Sequence, residues 1–310
     1  MKIPMHRKAF SMIELLFIIV IMGIIAGVVL EALRQYYDGI YRTGEYTKRV
    51  AQADRILEQI SKYFENGISA SIIRLDANDT VFGTQCVGIP SDTDSDSDYT
   101  IALVSVDNEG LRGFWDGVRW RPGWTSDVLS IGNTLVSADA NFTALNLANP
   151  LAGSAIFRSD GLGEGSDECG RFGWNDPITG NTNDVYRTIV SADSDTNLTL
   201  NGSLSISGEA RRAYVMRTAY AFRARDGQFN LYSGFQPWNS DQYSGATARL
   251  LADKVTHFTI LYDNTNTIMN SNIGNIYTLK ICLQGLADDL SDTNASDRQI
   301  CRERMVHVRY

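Results

Sequence analysis

The chain has 310 residues, of which 44% are hydrophobic and 21% are charged, and its formal net charge at pH 7 is −8. A chain of this length and composition can bury the core of one large globular domain or of two. Its acidic balance argues against nonspecific binding to nucleic acids, which requires a basic surface, so we expect no nucleic-acid partner.

An apolar segment of membrane length lies at the start of the chain. Several cations precede it, and residues 10–30 contain one charged side chain, that of Glu14. A helix needs roughly 20 residues to cross the hydrocarbon core of a bilayer. The positive-inside rule then places the first residues in the cytoplasm and exports the rest of the chain. An ionised acid inside the bilayer costs on the order of 2.5–3.5 kcal/mol, so Glu14 requires a partner or a function.

Three interpretations of this segment compete. A secretory signal peptide needs a pair of small residues after its apolar core, and Leu30 and Ala32 form only a poor cleavage site. A plain signal anchor explains the length and the cations but leaves Glu14 unexplained. A cut between Ala9 and Phe10 would instead free an ammonium group on Phe10. Attraction between this charge and Glu14, in the same or a neighbouring helix, would offset the burial of the acid.

The sequence KAFSMIELLFIIVIMGIIAGV resembles the N-terminal signature of type IV pilins and type II secretion pseudopilins. In that family a prepilin peptidase cuts off a short cytoplasmic leader, here residues 1–9, and then N-methylates the new terminus. The resemblance implies cleavage between Ala9 and Phe10 and methylation of Phe10, with Ala9 standing where the family usually has Gly. It also implies that Glu14 pairs with the N-terminal amine of an adjacent subunit during assembly.

The helical pattern continues beyond the apolar segment. We predict one helix over residues 10–67, of which about 10–30 are transmembrane and the second half packs one stripe against a sheet. No proline interrupts this range after the leader, so no proline kink is expected. The predicted packing stripe consists of the apolar residues Val50, Leu57, Ile60, Phe64 and Ile68.

Two glycines within the apolar segment, Gly23 and Gly27, form a G-x-x-x-G pair. Such a pair lets two helices approach closely in a membrane. Two glycines that are merely tolerated at these positions explain the pattern equally well. Helix packing at this pair is therefore one of two interpretations.

The remainder of the chain has the pattern of β structure. Residues 68–208 are rich in Asp, Asn, Ser, Thr and Gly, with short strand-like runs between turns, which predicts a loop-rich β region. Residues 209–310 predict a C-terminal β platform that begins with a hairpin turning at Asp226-Gly227. One strand each is predicted in LLADKVTHFTILYD, IYTLKICLQGL and CRERMVHVRY. The predicted class is α+β, a long N-terminal helix packed on an antiparallel β-sheet with a large loop-rich β insertion.

The order of elements from Ala213 onward also resembles the W-type minor pilins and J-type minor pseudopilins. A strand hairpin, the sequence LLADKV with the strand that follows it, and a last hairpin carry this resemblance. It implies a type IV pilin-like fold and a structural subunit that primes or caps a type IV pilus or a type II secretion pseudopilus. The implied partners are other pilin or pseudopilin subunits, prepilin peptidase and the assembly platform of the bacterial inner membrane. The body would be periplasmic, and its size predicts a place at or near the filament tip.

Two other functions stay open at this stage. The segment FWDGVRWRPGW, with Arg112, Arg119 and Arg121, has the aromatic and basic character of a glycan or single-strand binding surface, as in a filament-tip adhesin or DNA-uptake subunit. Core packing and a hairpin explain the same segment more simply. The chain is alternatively a membrane-anchored binding domain outside any filament, which would keep Met1 as its N-terminus and would not depend on Glu14.

Four cysteines follow the apolar segment: Cys86, Cys169, Cys282 and Cys301. In an oxidising compartment they would form two disulfides, and four cysteines allow three pairings. We favour Cys282 with Cys301, because both lie in the last predicted strand pair. That choice leaves Cys86 with Cys169.

The sequence contains no motif that assembles a catalytic site. Its histidines are His6, His257 and His307, and nucleophile-elbow, P-loop and zinc-protease motifs are absent. We therefore expect no enzyme and no cofactor. Calcium is the best metal candidate, because carboxylates alternate in the run SDTDSDSDYT. A solvated acidic loop is favoured, since the run lacks the Gly and Glu of an EF-hand loop. The carboxylates are those of Asp92, Asp94, Asp96 and Asp98.

The pattern D-x-N-x-S/T occurs at Asn78, Asn141, Asn197 and Asn294. It resembles the extended acceptor sequence of bacterial N-glycosylation, and an Asn-x-Ser/Thr sequence marks an exposed position in an exported chain. A chain this rich in Asp, Asn, Ser and Thr also produces such matches by composition. We favour chance occurrence of the pattern over glycosylation at these asparagines.

Overall fold

The helices and strands of the chain are defined by a computed structural model. It describes residues 12–75, 100–107, 114–115, 120–121, 128–137, 141–148, 150–158, 172, 174, 186–204, 213–262, 276–284 and 299–308. The helices are α1 (Met12–Glu65) and α2 (Phe142–Ala148). The strands are β1 (Ile73–Leu75), β2 (Thr100–Val106), β3 (Phe114–Trp115), β4 (Trp120–Arg121), β5 (Val128–Ile131), β6 (Thr134–Ser137), β7 (Ala155–Arg158), β8 (Tyr186–Ala192), β9 (Asn197–Leu200), β10 (Ala213–Arg225), β11 (Gln228–Phe235), β12 (Thr247–Asp253), β13 (Val255–Tyr262), β14 (Ile276–Gln284) and β15 (Gln299–His307).

Helix α1 has 54 residues, and only its C-terminal part packs on the rest of the chain. At about 1.5 Å per residue the helix is about 81 Å long. Four residues of the predicted stripe are buried, namely Leu57, Ile60, Phe64 and Ile68. The first three lie on α1, which packs against β14, β15 and β2. The buried positions recur every three or four residues, so one face of the helix meets the sheets. That part of the predicted helix is confirmed.

The end of α1 is tied to β2 by a close approach of two backbones. Gly67 forms a β-bridge with Ser105, and Ile68 N–H donates a hydrogen bond of 3.0 Å to Val104 O. A Cβ atom at position 67 would lie 3.0 Å from the side chain of Leu103. Glycine therefore lets the chain leave the helix directly along the sheet.

A large antiparallel sheet is organised around the long strand β10. The strand order is β1-β2-β10-β7-β8-β9-β6-β5, and β11 pairs with β10 and with β12. The register between β2 and β10 runs from Val106–Met216 to Thr100–Arg223. Strand β2 belongs to the predicted loop-rich region and β10 to the predicted C-terminal platform, so both parts share one sheet. The α+β class is confirmed at this level.

The hairpin of β10 and β11 turns at Asp226-Gly227, where the sequence predicted it. Asp226 has a φ of 52° and Gly227 a φ of 73°. Two successive residues with positive φ are typical of the type I′ turn that matches the twist of a two-stranded hairpin. The predicted turn is confirmed.

The segment LLADKVTHFTILYD is not one strand. It contains the end of β12 and all of β13, and these strands belong to different sheets. Lys254 lies between them with a φ of 58°, and its carbonyl accepts a hydrogen bond of 2.8 Å from Gln284 N–H. The sequence concealed this break, because Gly, Asn or Asp normally mark a left-handed residue and lysine does not. Strands β13, β14 and β15 form a separate antiparallel sheet.

Buried side chains form three apolar clusters. The first joins α1 to both sheets and includes Phe64, Phe222 and Leu279. The second lies around β2, β7 and β10 and includes Phe157 and Trp238. The third packs α2 against β7, β8 and β9. The helix end and the two sheets are therefore joined by a continuous apolar layer.

Candidate functional site

The N-terminal half of α1 carries a continuous exposed apolar surface. Large apolar side chains are exposed at nearly every position from Met12 to Leu30, with Ile13 at 72% and Ile24 at 64%. No residue in the most apolar stretch of the helix is buried against the rest of the chain. By length and composition, this helix is able to cross a bilayer.

The residues predicted to act in assembly lie on this exposed half. Glu14 is in the first described turn of α1 and is exposed between the apolar side chains of Ile13 and Leu15. Gly23 and Gly27 are one turn apart, and a Cβ atom at either position would meet nothing within 4 Å. The two glycines therefore leave a flat strip on the helix that a second helix can approach.

A second apolar surface on α1 was missed in the sequence analysis. Leu33, Tyr36, Tyr37 and Ile40 follow the spacing i, i+3, i+4, i+7, and each is between 45% and 66% exposed. We call these four residues the tyrosine stripe. At about 100° per residue, Ile40 is roughly 160° around the helix from the buried Ile60. The tyrosine stripe therefore lies opposite the face that packs on the sheets, and its spacing was visible in the sequence.

Polar contacts hold α1 to the sheet of β13–β15 where the buried part of the helix begins. Arg49 Nη1 donates a hydrogen bond to Gln284 O at the end of β14. Arg302 Nε of β15 lies 3.7 Å from Asp54 Oδ1. Buried contacts begin at Ala53, so about 60 Å of helix precedes them. Among the described residues, the body therefore buries only the C-terminal end of α1.

Cys282 and Cys301 form a disulfide between β14 and β15. The two residues are direct partners in the register of these strands, and their Cα atoms are 4.0 Å apart. His257 of β13 is the partner of Cys282 on the other side. Two residues along β14, Lys280 Nζ lies 3.1 Å from Glu303 Oε1. The bond thus links the last two strands of the sheet on which α1 packs.

Two of the predicted acceptor asparagines lie in ordered elements. Asn141 Oδ1 accepts a hydrogen bond of 2.9 Å from Ala144 N–H and so caps α2. Asn197 begins β9, and the Thr199 hydroxyl of the same motif donates to Asp193. Hydrogen bonds from Ser191 and Thr199 lower the pKa of Asp193. Both motifs therefore have local structural roles in addition to any modification.

Several predicted residues lie outside the described part of the chain: Ala9, Phe10, Asn78, Cys86, Asp92, Asp94, Asp96, Asp98, Arg112, Arg119, Cys169 and Asn294. Of the aromatic segment, Phe114–Trp115 pairs antiparallel with Trp120–Arg121, which is hairpin structure. Within the described ranges, no group of three or more His, Cys, Asp or Glu residues could hold a metal ion. The site built by the described residues is therefore the exposed length of α1.

Comparison with known proteins names no family. No family model, no curated protein and no solved structure matches this chain. The resemblance of the sequence to type IV pilins therefore stays a prediction. The function has to follow from the residues themselves.

Proposed function

We propose that the chain is a minor pilin or pseudopilin, a structural subunit rather than an enzyme. Prepilin peptidase cuts it between Ala9 and Phe10 and N-methylates Phe10. Before assembly α1 holds it in the bacterial inner membrane, with the leader in the cytoplasm and the body in the periplasm. After assembly α1 packs among the helices of other subunits in a type IV pilus or a type II secretion pseudopilus.

The length of the exposed apolar surface on α1 supports this proposal most directly. About 20 residues cover the hydrocarbon core, and the polar layer adds about 5–7 Å on each side. The tyrosine stripe continues to Ile40, about 15 Å beyond Leu30. Lipid cannot cover the far end of the stripe, whereas a neighbouring helix can. A domain that is merely anchored to a membrane has no need of this extension.

Glu14 supplies the register of assembly. Its carboxylate lies among exposed apolar side chains at the start of α1, where burial among other helices would be costly without an opposite charge. The ammonium group of Phe10 in an adjacent subunit provides that charge. The pair forms only when the two helices are correctly staggered. In any other stagger the buried carboxylate has no opposite charge, so misaligned helices are less stable.

The body sits at or near the filament tip. Strands β5–β9 extend the large sheet beyond the strands that α1 contacts, and such bulk repeats poorly inside a shaft. Gold-labelled antibodies against the body should mark filament ends. Even labelling along the shaft would overturn the tip position and leave the subunit assignment standing.

Mass spectrometry of the N-terminus, on protein from native membranes, tests the proposal. The mature chain should begin at N-methyl-Phe10, and Ala9→Arg should block the cut because the peptidase site needs a small residue. Glu14→Gln should be cut normally yet be absent from purified filaments. Glu31→Gln is the matched control, because Glu31 is an exposed acid on the same helix beyond the apolar segment. That variant should be cut and assembled like the wild type.

Two results would overturn the assignment. A mature chain that begins at Met1, or beyond Leu30, would make the protein an anchored or secreted domain. A Glu14→Gln variant that assembles as well as the wild type would remove Glu14 from the assembly step.

A further inference from the structure

A cleft of about 510 Å³ lies where the end of α1 meets β2 and β10. Its volume is in the range of about 300–1,000 Å³ that is typical of sites for small ligands. Its lining is mainly polar and open to solvent. The residues that characterise it are Tyr63, Asn66, Asp107, Arg217, Tyr220 and Gln236.

Two irregularities of the sheet shape this cleft. The register between β10 and β2 shifts between Met216 and Thr218, so Arg217 is an extra residue. The register between β10 and β11 shifts between Ala219 and Tyr220, opposite Gly234 with its φ of 82°. Bulges interrupt the regular alternation of side chains and re-aim them, and they are over-represented beside functional sites.

The polar residues of the cleft are fixed in place. Arg217 Nε donates to Asp107 Oδ2, and Arg217 Nη1 donates to Pro150 O at 3.0 Å. Gln236 Nε2 donates to Arg217 O at 2.8 Å. The side chains of Arg217 and Asp107 are only 15% and 9% exposed. These planar groups are therefore preorganised, which lowers the cost of ordering them around a ligand.

The cleft combines aromatic rings with both donors and acceptors of hydrogen bonds. The rings of Tyr63 and Tyr220 are 4.7 Å apart between centroids, and hydroxyls of Ser105 and Thr218 also line the cleft.

A lipid chain would lie against the Asn66 amide and cannot hydrogen-bond with it, and burying an unpaired amide costs about 1–3 kcal/mol. Deep in the cleft Arg217 is already paired with Asp107, so a free phosphate finds no uncompensated positive charge there. A ligand with apolar C–H faces and many hydroxyls can pack on the aromatic rings and also hydrogen-bond with the polar side chains.

We propose that this cleft binds a saccharide. The rings of Tyr63 and Tyr220 pack on the C–H face of a sugar, and the amides of Asn66 and Gln236 exchange hydrogen bonds with its hydroxyls. Lys62 also lines the cleft, with its side chain 69% exposed, and its charge favours sugars that carry a carboxylate. This site is distinct from the aromatic segment FWDGVRWRPGW and does not depend on α1 being part of a filament.

Binding of the full chain, in detergent, to an array of immobilised neutral and uronate-bearing oligosaccharides tests the proposal. Asn66→Ala should weaken binding about tenfold, the effect of one lost hydrogen bond. Lys62→Ala should weaken binding of uronate-bearing sugars alone. Lys48→Ala is the matched control, because Lys48 lies 3.8 Å from Glu45 just as Lys62 lies 3.8 Å from Glu58 on the same helix.

Each variant is first checked for an unchanged thermal midpoint, so that a lost signal reports the cleft and not the fold. The expected result is saccharide binding that Asn66→Ala reduces and Lys48→Ala leaves intact. A folded wild-type chain that binds no saccharide on the array would overturn the proposal. Binding that survives Asn66→Ala, or that falls equally with Lys48→Ala, would also overturn it. None of these results bears on N-terminal processing, so the filament proposal is tested separately.

Discussion

His257 shows how one residue makes the stability of the body depend on pH. It is partly buried on β13, directly opposite Cys282 of β14. Burial, and then the positive charge of Lys280, lower the pKa of the imidazole below its usual value. Lys280 is itself paired with Glu303. The folded protein therefore favours neutral His257, whereas the unfolded chain takes up a proton near pH 6.5.

We expect His257→Gln to reduce the loss of stability on mild acidification. Between the lowered pKa of His257 and about pH 6.5 the unfolded state binds more protons, so the free energy of unfolding falls as the pH falls. The effect is small, because the ring is only partly buried. Urea midpoints at pH 7.5 and 5.5 measure it. His307→Gln, at an exposed position on β15, should retain the wild-type difference. Equal differences in wild type and His257→Gln would contradict this role.

Helix α1 uses opposite faces for two different tasks. Ile60 is fully buried against the sheets, whereas Ile40 in the tyrosine stripe is 52% exposed. Phe64 stacks on Phe222 with ring centroids 5.5 Å apart, which fixes the rotation of the helix on the body. This fixed rotation directs the tyrosine stripe away from the body, so folding and assembly depend on separate sets of residues.

We therefore expect opposite outcomes for two isoleucine-to-alanine substitutions on the same helix. Ile60→Ala should lower the free energy of unfolding by about 2–5 kcal/mol, because it leaves a cavity in the core. Ile40→Ala should change it by less than about 0.5 kcal/mol, as exposed substitutions do. Urea denaturation followed by tryptophan fluorescence compares the two. Ile40→Ala should still reduce the amount of subunit recovered in purified filaments.

The filament measurement separates a docking surface from a lipid contact. If Ile40→Ala and Tyr36→Ala leave filament recovery unchanged but weaken retention in membranes, the tyrosine stripe faces lipid. If Ile40→Ala destabilises the body as much as Ile60→Ala does, the assignment of faces is wrong.

For the molecule as a whole, local patterns were enough to predict several elements but not helix α2 or the break between β12 and β13. The packed face of α1 follows from the spacing of Leu57, Ile60 and Phe64, and the β10–β11 turn follows from Asp226-Gly227. Each of these features depends on residues close in sequence, where helical period and turn chemistry act directly. The apolar length of α1 is equally local.

The arrangement of the elements could not be predicted in the same way. Strand β2 pairs with β10 across more than a hundred residues, and nothing in either sequence specifies that register. The left-handed Lys254 that separates β12 from β13 has no signal in its residue type. The cleft depends on bulges at Arg217 and Gly234, which arise only once three strands are aligned. Tertiary context decides all three features.

The disulfide is a constraint on the whole molecule, because it closes the hairpin that α1 packs against. The bonded cysteines are 19 residues apart, and closing a loop of this length stabilises the folded state by about 3 kcal/mol in the chain-entropy account. Strand β15 contacts α1 but, among the described strands, pairs only with β14. Loss of the bond should therefore weaken the packing of α1 on this sheet as well as the pairing of β14 with β15.

We expect the double substitution Cys282→Ala and Cys301→Ala to lower the free energy of unfolding by about 3 kcal/mol. Alanine is chosen because Cys282 is only 2% exposed, and a serine hydroxyl there would add the cost of an unpaired polar group. The matched control is Thr278→Ala with Met305→Ala, a directly opposed pair on the same two strands. The control should lose far less stability, because it removes side chains without removing a covalent link. Hydrogen exchange at Ile56 and Leu57 should accelerate in the cysteine variant alone. Equal losses in the two variants would mean that the hydrogen-bonded ladder of β14 and β15, and not the disulfide, keeps the hairpin closed beneath α1.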